Sequence, residues 1–352
     1  MRIAVTVDPY YPVPPLQYGG IERIADFVVR GLQARGHGIF LFAHPESSVT
    51  KNLVGYGVPP HQGLRARALE LWQVGWGLWR RRREFDVILS WGRLAALLPV
   101  LPLRGLPKIQ RYCRGSVPWG SVAKAVRLGG DSICFVGSST SVYSDRPDLG
   151  RAGGQWRTIF DGVEMEKYQF VERVAPDAPL VYLGRLEAMK GVHTAIAAAK
   201  AAGRKLIIAG NKVTTTADLG YFDQEVAPHL DGRQVEYIGP VNDAQKNELL
   251  GRCAALLFPT QYKEGFGIVM AEAMACGTPV LATPCGSVPE VVRDNVNGFV
   301  CRRVEDFSLA VQRLSGLDRA AVRADCEQRF NAVAIVAQFE QLCDAMVQST
   351  RR

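Results

Sequence analysis

The sequence has no run of about 18 apolar residues, so nothing in it reads as a transmembrane span. It has no Gly-x-Gly-x-x-Gly after a strand and no Walker A loop, which removes the dinucleotide fingerprint and the P-loop. No Asp-x-Asp occurs, so the carboxylate pair that often holds a metal-bound diphosphate is missing. The five histidines form no metal-ligand spacing, and no metal site is expected. Eight cysteines are present but none lies closer than nine residues to the next, so there is no Cys-x-x-Cys. Most sit in apolar strings such as Ser-Ile-Cys134-Phe-Val and read as buried, reduced thiols of a cytosolic protein. Zinc-finger spacing, RNP-type aromatics and a long basic helix are all absent, so nucleic acid is not an expected partner. The apolar run Ile3 to Val7 is too short for a secretory leader and reads as a strand.

What is present suits two α/β domains. The chain has 352 residues, 47% of them hydrophobic, which is too long for one ordinary core and ample for two. The net charge of +8 is uneven: residues 1–160 carry 21 Lys and Arg against 10 Asp and Glu. That basic half suits phosphates, an anionic membrane surface or an acidic acceptor.

Apolar strands alternate with helical patterns in both halves. Strands are read at Ile3–Val7, Ile39–Phe42, Val87–Leu89, Lys108–Gln110 and Ser132–Val136, with a helix over Ile21–Arg35 closed by Gly36. The second half gives strands at Leu180–Leu183, Lys205–Ala209, Val235–Ile238, Ala255–Phe258 and Pro279–Ala282. Helices fall at Val192–Ala201, Ala244–Cys253 and Ile268–Cys276. Such alternation implies parallel sheets with right-handed crossovers, hence two Rossmann-like doubly wound domains. The boundary is placed near Thr158–Val174, giving domains 1–160 and 161–331. A last helix, about 332–352, is expected to pack back on the first domain.

Three clusters carry chemistry. In Glu264-Gly265-Phe266-Gly267-Ile268-Val269-Met270-Ala271-Glu272 two carboxylates flank a glycine pair that opens a helix. Glycines let backbone approach a ligand, and a helix start offers free N–H groups and a positive dipole end, which suit a phosphate. Glu272, about one turn into the helix, can accept from two adjacent hydroxyls, as on a ribose, and Glu264 from those of another sugar. An ordinary helix start with acidic residues explains the same residue types. The second cluster, Gly184-Arg185-Leu186-Glu187-Ala188-Met189-Lys190-Gly191, follows a strand, where ligands bind in open α/β sheets. Arg185 offers a fork for phosphate oxygens and Lys190 a point charge, able to stabilise a departing diphosphate. Two surface cations would read the same way. The third, Gly19-Gly20, opens the first helix and suits an anion or simply a tight turn.

These residues resemble retaining glycosyltransferase family 4, the glycogen-synthase-like group 1 enzymes of the GT-B fold, two Rossmann-like domains facing a central cleft. The likeness runs through Gly184-Arg185, Lys190-Gly191, Glu264 to Glu272, Ala275-Cys276-Gly277-Thr278-Pro279-Val280, Gly286 to Glu290 and Asn297-Gly298. Phe160-Asp161-Gly162-Val163-Glu164 is similar to the family's interdomain stretch, with Asp161 where Asn is usual. Tyr18-Gly19-Gly20-Ile21-Glu22-Arg23 is similar to its N-terminal glycine loop. The resemblance implies a nucleoside-diphosphate sugar donor bound mainly to the C-terminal domain. Arg185 and Lys190 would hold the diphosphate and Glu272 the ribose. Glu264 and the amides of Gly265, Phe266 and Gly267 would hold the transferred sugar. The implied donor set also takes in Gly19, Gly20, Gly184, Ile268 and Val269. Transfer would proceed with retention, without metal or organic cofactor, the departing phosphate taking the acceptor's proton. Where the family often has His-Gly, this chain has Arg114-Gly115, which suits a carboxylate or phosphate on donor or acceptor.

A carbohydrate, lipid-linked or small-molecule acceptor is expected on the N-terminal domain. There Trp72, Trp76 and Trp79 lie at helical spacing and run into Arg80-Arg81-Arg82-Arg83. That helix, residues 64–84, reads either as a peripheral contact with an anionic bilayer at the inner face of the membrane, or as a core stripe with a solvated basic end. A GT-B epimerase or phosphorylase would need carboxylates or a cofactor lysine for which no motif is found. A nucleotide-dependent oxidoreductase lacks its fingerprint, and a non-catalytic sugar-binding module has no use for two cations aimed at a leaving group.

Overall fold

The computed structural model describes residues 1–16, 19–59, 63–213 and 220–351. The chain divides into two compact units, 1–161 with 332–352, and 162–331.

The first unit holds a seven-stranded parallel sheet. Its strands are β1 (Arg2–Thr6), β2 (Gly38–Ala43), β3 (Leu53–Gly55), β4 (Val87–Ser90), β5 (Lys108–Tyr112), β6 (Ile133–Gly137) and β7 (Trp156–Thr158), in the order β3-β2-β1-β4-β5-β6-β7. The central strands β1, β4 and β6 are apolar and almost wholly buried, as a sheet covered on both faces requires. Its helices include α1 (Gly20–Ala34), α2 (Gly63–Arg80) and α3 (Trp119–Gly129). In α1 the residues Ile24, Ala25, Val28 and Leu32 face inward, the spacing of one helical stripe.

The second unit holds a six-stranded parallel sheet, β8 (Leu180–Leu183), β9 (Leu206–Ala209), β10 (Val235–Tyr237), β11 (Ala255–Phe258), β12 (Val280–Ala282) and β13 (Gly298–Val300). The order is β10-β9-β8-β11-β12-β13. Helices α4 (Val192–Ala201), α5 (Asp243–Arg252), α6 (Ile268–Ala275), α7 (Val288–Val291), α8 (Val304–Gln312) and α9 (Arg319–Phe330) complete it. Leu180, Ile196, Leu206, Ile208, Leu257 and Phe307 are among the side chains that build the core under α4 and α8.

The last helix, α10 (Ala332–Arg351), belongs to the first unit and packs along α1. Gly31 makes that crossing close, since a Cβ there would lie 2.6 Å from Val336. Arg352 and Tyr18, both within segments read from the sequence, lie outside the described residues. Among the described residues no helix is long and apolar enough to cross a membrane.

Candidate active site

In the second unit β8 has β9 on one side and β11 on the other, so the strand order reverses between β8 and β11. Loops leaving the carboxyl ends of two such strands diverge and leave a crevice. The loop after β8 carries Gly184, Arg185 and Lys190, and the loop after β11 carries Glu264, Gly265 and Phe266 into α6. The two richest motifs of the sequence therefore meet at one topological position.

Each cation there is already paired. Lys190 Nζ donates to Glu264 Oε2, and both side chains are largely buried. Arg185 Nη1 lies 2.5 Å from Glu187 Oε1, and the Arg185 carbonyl accepts from the Tyr182 hydroxyl at 3.0 Å. Burial pushes the Tyr182 phenol well above its ordinary range, with the Glu187 and Glu264 charges adding to the rise and Arg185 opposing it. One buried hydroxyl thus senses three of the charged groups.

Glu264 is fixed by its backbone. Its carbonyl accepts from Ser287 N at 3.0 Å, while Ser287 Oγ donates to the Phe266 carbonyl at 2.9 Å. Gly286 packs against this segment with φ 60°, and a Cβ there would lie 2.3 Å from both Glu264 N and O. Gly267 caps α6 with φ 75°, in the left-handed region that favours glycine. The first amides of α6, Ile268 and Val269, come at a helix start, where N–H groups lack intrahelical acceptors. Phe266 is buried edge-on against Phe330 at 5.2 Å, which anchors the turn.

Glu272 sits inside α6 and is only 4% exposed. Its Oε1 accepts from Lys246 Nζ of α5 at 2.5 Å and from the Tyr168 hydroxyl at 2.8 Å. Neither partner was foreseen. The Asn242–Gln245 capping box announces the start of α5 but says nothing of where Lys246 points. Only the packing of α5 on α6 brings the two together.

Gly19, Gly20 and Arg114 fall in the first unit. Gly19 is the N-cap of α1 with φ 156°, and a Cβ there would meet Pro15 at 2.7 Å. The sheet reverses order between β1 and β4, and the loops after those strands hold Asp8 and Arg93. Arg93 N donates to Asp8 Oδ1 at 3.2 Å, and Arg93 Nη1 to the buried Glu70 at 3.4 Å. Burial raises the Asp8 and Glu22 carboxyls, and the Arg114 charge pulls both back. Arg114, itself exposed, thus lies within electrostatic reach of two carboxylates of its own chain. Among the described residues no group of three or more His, Cys, Asp or Glu could hold a metal ion.

The sequence pattern of the family described as "Glycosyl transferases group 1" matches residues 165–328, which include all of the charged loops after β8 and β11. A glycogen synthase of Mycobacterium tuberculosis is 33% identical over 88% of this chain and 84% of its own length. The chain belongs to the group 1 glycosyltransferases. A D-inositol 3-phosphate glycosyltransferase of Mycolicibacterium paratuberculosis is 30% identical to this glycosyltransferase over 55% of the chain and 46% of that protein. Among solved structures, a sucrose-phosphate synthase of Thermosynechococcus elongatus superposes with a TM-score of 0.78 at 18% identity, covering 99% of this chain and 100% of that one. HepE of Anabaena, in complex with UDP and glucose, gives 0.74 at 20% identity over 98% and 99%. These likenesses fix the fold of the glycosyltransferase as GT-B.

Proposed function

We propose that this glycosyltransferase moves a sugar from a nucleoside-diphosphate sugar to a glycan, glycolipid or small-molecule acceptor, with retention at the anomeric carbon and without a bound metal. The observation that carries the proposal is the Lys190–Glu264 pair at the switch point of the second sheet. The pyrophosphate displaces carboxylates from Arg185 and Lys190 and takes the amides at the start of α6. Glu264, freed, accepts hydroxyls of the transferred sugar beside the amides of Gly265, Phe266 and Gly267. Glu272 holds the ribose. Gly184 lets backbone approach the diphosphate, while Gly19, Gly20 and Arg114 serve from the first unit, which binds the acceptor.

The bond from C1 to the β-phosphate oxygen breaks and the acceptor oxygen bonds to C1 on the same face. The acceptor's proton passes to the departing phosphate. Arg185 and Lys190 stabilise the charge that develops there, and the absence of Asp-x-Asp leaves that task to the cations. HepE was solved with UDP and with UDP-glucose, which supports a uridine donor. A cytoplasmic location, with peripheral contact to the inner face of the membrane, belongs to the same reading.

A thermal-shift panel of nucleoside diphosphates and their sugars tests the donor, since stabilisation grows with ligand over dissociation constant. One base should stand out, its effect should vanish in Arg185→Ala/Lys190→Ala, and turnover should persist in EDTA. Stabilisation by every base alike, or by none, overturns the donor assignment. Turnover that needs no acceptor and yields an epimer overturns the transfer.

A further inference from the structure

Helix α2 turns its aromatic face outward. Its inner face buries Ala66, Val74, Gly75 and Leu78 and seats closely: a Cβ on Gly75 would lie 2.9 Å from the Ala96 carbonyl, and one on Gly77 would lie 3.0 Å from the Phe42 ring. The helix thus lies close on the unit through that face, while Trp72 and Trp76 project from the other side. Trp72 is 63% exposed and Trp76 46%, so the core reading of this stripe fails for both. Their rings stack at 6.4 Å with planes 4° apart, and Trp76 stacks on Trp79 at 5.1 Å. The Arg82 guanidinium closes the far end, 4.3 Å over Trp79.

The surroundings are cationic. Arg65, Arg67, Arg80 and Arg83 are exposed on or just beyond α2, and the helix's one carboxylate, Glu70, is buried. Leu64 and Leu69 extend the exposed apolar surface. An indole slab ringed by arginines matches the boundary between lipid headgroups and acyl chains. The rings of Trp76 are covered on both faces by neighbouring indoles, so the stack offers a sugar little beyond the outer face of Trp72.

We propose that this face of α2 docks on a bilayer rich in anionic lipid, with Trp72 and Trp76 at the headgroup level and the arginines against phosphates. The inference deepens the reading of the first unit as the acceptor side, because a lipid-linked acceptor would be met there.

The test is co-sedimentation of the full chain with phosphatidylcholine vesicles, with and without phosphatidylglycerol. Wild type should pellet with the anionic vesicles and lose binding at high salt. Trp72→Ser/Trp76→Ser should lower partitioning by about tenfold or more per indole, and Arg80→Gln/Arg83→Gln by roughly fivefold per arginine. Both substitutions touch exposed side chains, so circular dichroism should match wild type and show that the variants are folded. Wild type left in the supernatant, or pelleting unchanged in the tryptophan variant, overturns the proposal. So does a dimer, or retention on insoluble glucan, that the tryptophan substitutions abolish while vesicles are ignored. Thermal shift with the preferred nucleotide is run on the same samples. Its failure in wild type strikes the donor reading alone, and its survival in the tryptophan variant isolates the membrane result.

Discussion

Lys190 and Glu264 are 74 residues apart in sequence and bonded to each other across the strand-order reversal of the second sheet. Each neutralises the other. On the proposed reading, donor binding turns Lys190 to the diphosphate and Glu264 to the sugar. Lys190→Met and Glu264→Gln should each lower kcat by about 100-fold or more, as for loss of a group aimed at transition-state charge. The double variant should lose less than the product of the two single losses, because the groups act as a unit. A kcat within about threefold of wild type in either single variant would remove both from the chemistry.

Glu272 gives a different expectation. Lys246→Met leaves a buried carboxylate to the Tyr168 hydroxyl without its counter-charge, at a cost of up to about 3 kcal/mol. On the proposed reading, ribose hydroxyls supply partners when nucleotide binds. The unliganded variant should therefore melt early, and nucleotide should raise its melting temperature by more than it raises that of wild type. An equal or smaller rise would place the ribose elsewhere.

Gly286→Ala tests the backbone of the site. The added methyl would sit 2.3 Å from main-chain atoms of Glu264, which cannot rotate away as a side chain can. The loop after β11 must shift, and a misplacement of about 1 Å in a reacting geometry costs roughly 100-fold. Activity should fall by that order while the circular dichroism spectrum is retained. Full activity would mean that the position of Glu264 is not critical.

The motif-bearing parts of the fold were legible because the strands that carry them are apolar runs ended by glycine or proline. Leu180–Leu183 with Gly184, and Ala255–Phe258 ahead of the Glu264 loop, read as strands and are strands. Leu53–Gly55, Trp156–Thr158 and Gly298–Val300 went unread, since each is short and is broken by a glycine or a charged residue. Gly298 also looks like a breaker, yet it lies in β13 because a Cβ there would meet the Val280 carbonyl at 1.9 Å. The charged residues of the motifs were legible and their partners were not. Lys246 and Tyr168 reach the site through tertiary packing, which leaves no local spacing. The Trp72–Trp76 stripe fitted core and surface equally, because helical spacing says which residues share a face but not what that face meets.

Alkaline pH should unfold the chain through its cysteines. Burial pushes Cys134 up to about 11 and Cys253, Cys276, Cys301, Cys326 and Cys343 up to about 12. Unfolded thiols ionise near pH 9, so between about 9 and 11 the unfolded state binds fewer protons than the native one and stability falls as pH rises. Each thiol contributes a slope of about 1.4 kcal/mol per pH unit. Urea unfolding at pH 8 and pH 10 should show the loss, and Cys343→Ala should flatten it. A midpoint independent of pH over that range would mean these thiols are open to water.

Asp161 stands where the resembled family has asparagine, and its carboxylate explains the difference. Arg111 of β5 is wholly buried, and its Nη2 lies 2.5 Å from Asp161 Oδ1, with the guanidinium 5.0 Å over the Phe339 ring. Asp161 is the last residue of the first unit before the chain enters the second. Asp161→Asn restores the usual residue but leaves a buried guanidinium without its counter-charge, and should cost about 3–5 kcal/mol. Arg111→Leu/Asp161→Asn removes both charges, and a neutral pair of similar volume should recover most of that loss. Urea midpoints of the two variants decide it. If Asp161→Asn were as stable as wild type, the arginine's charge would be met elsewhere, and the pair would not account for the aspartate at this crossing.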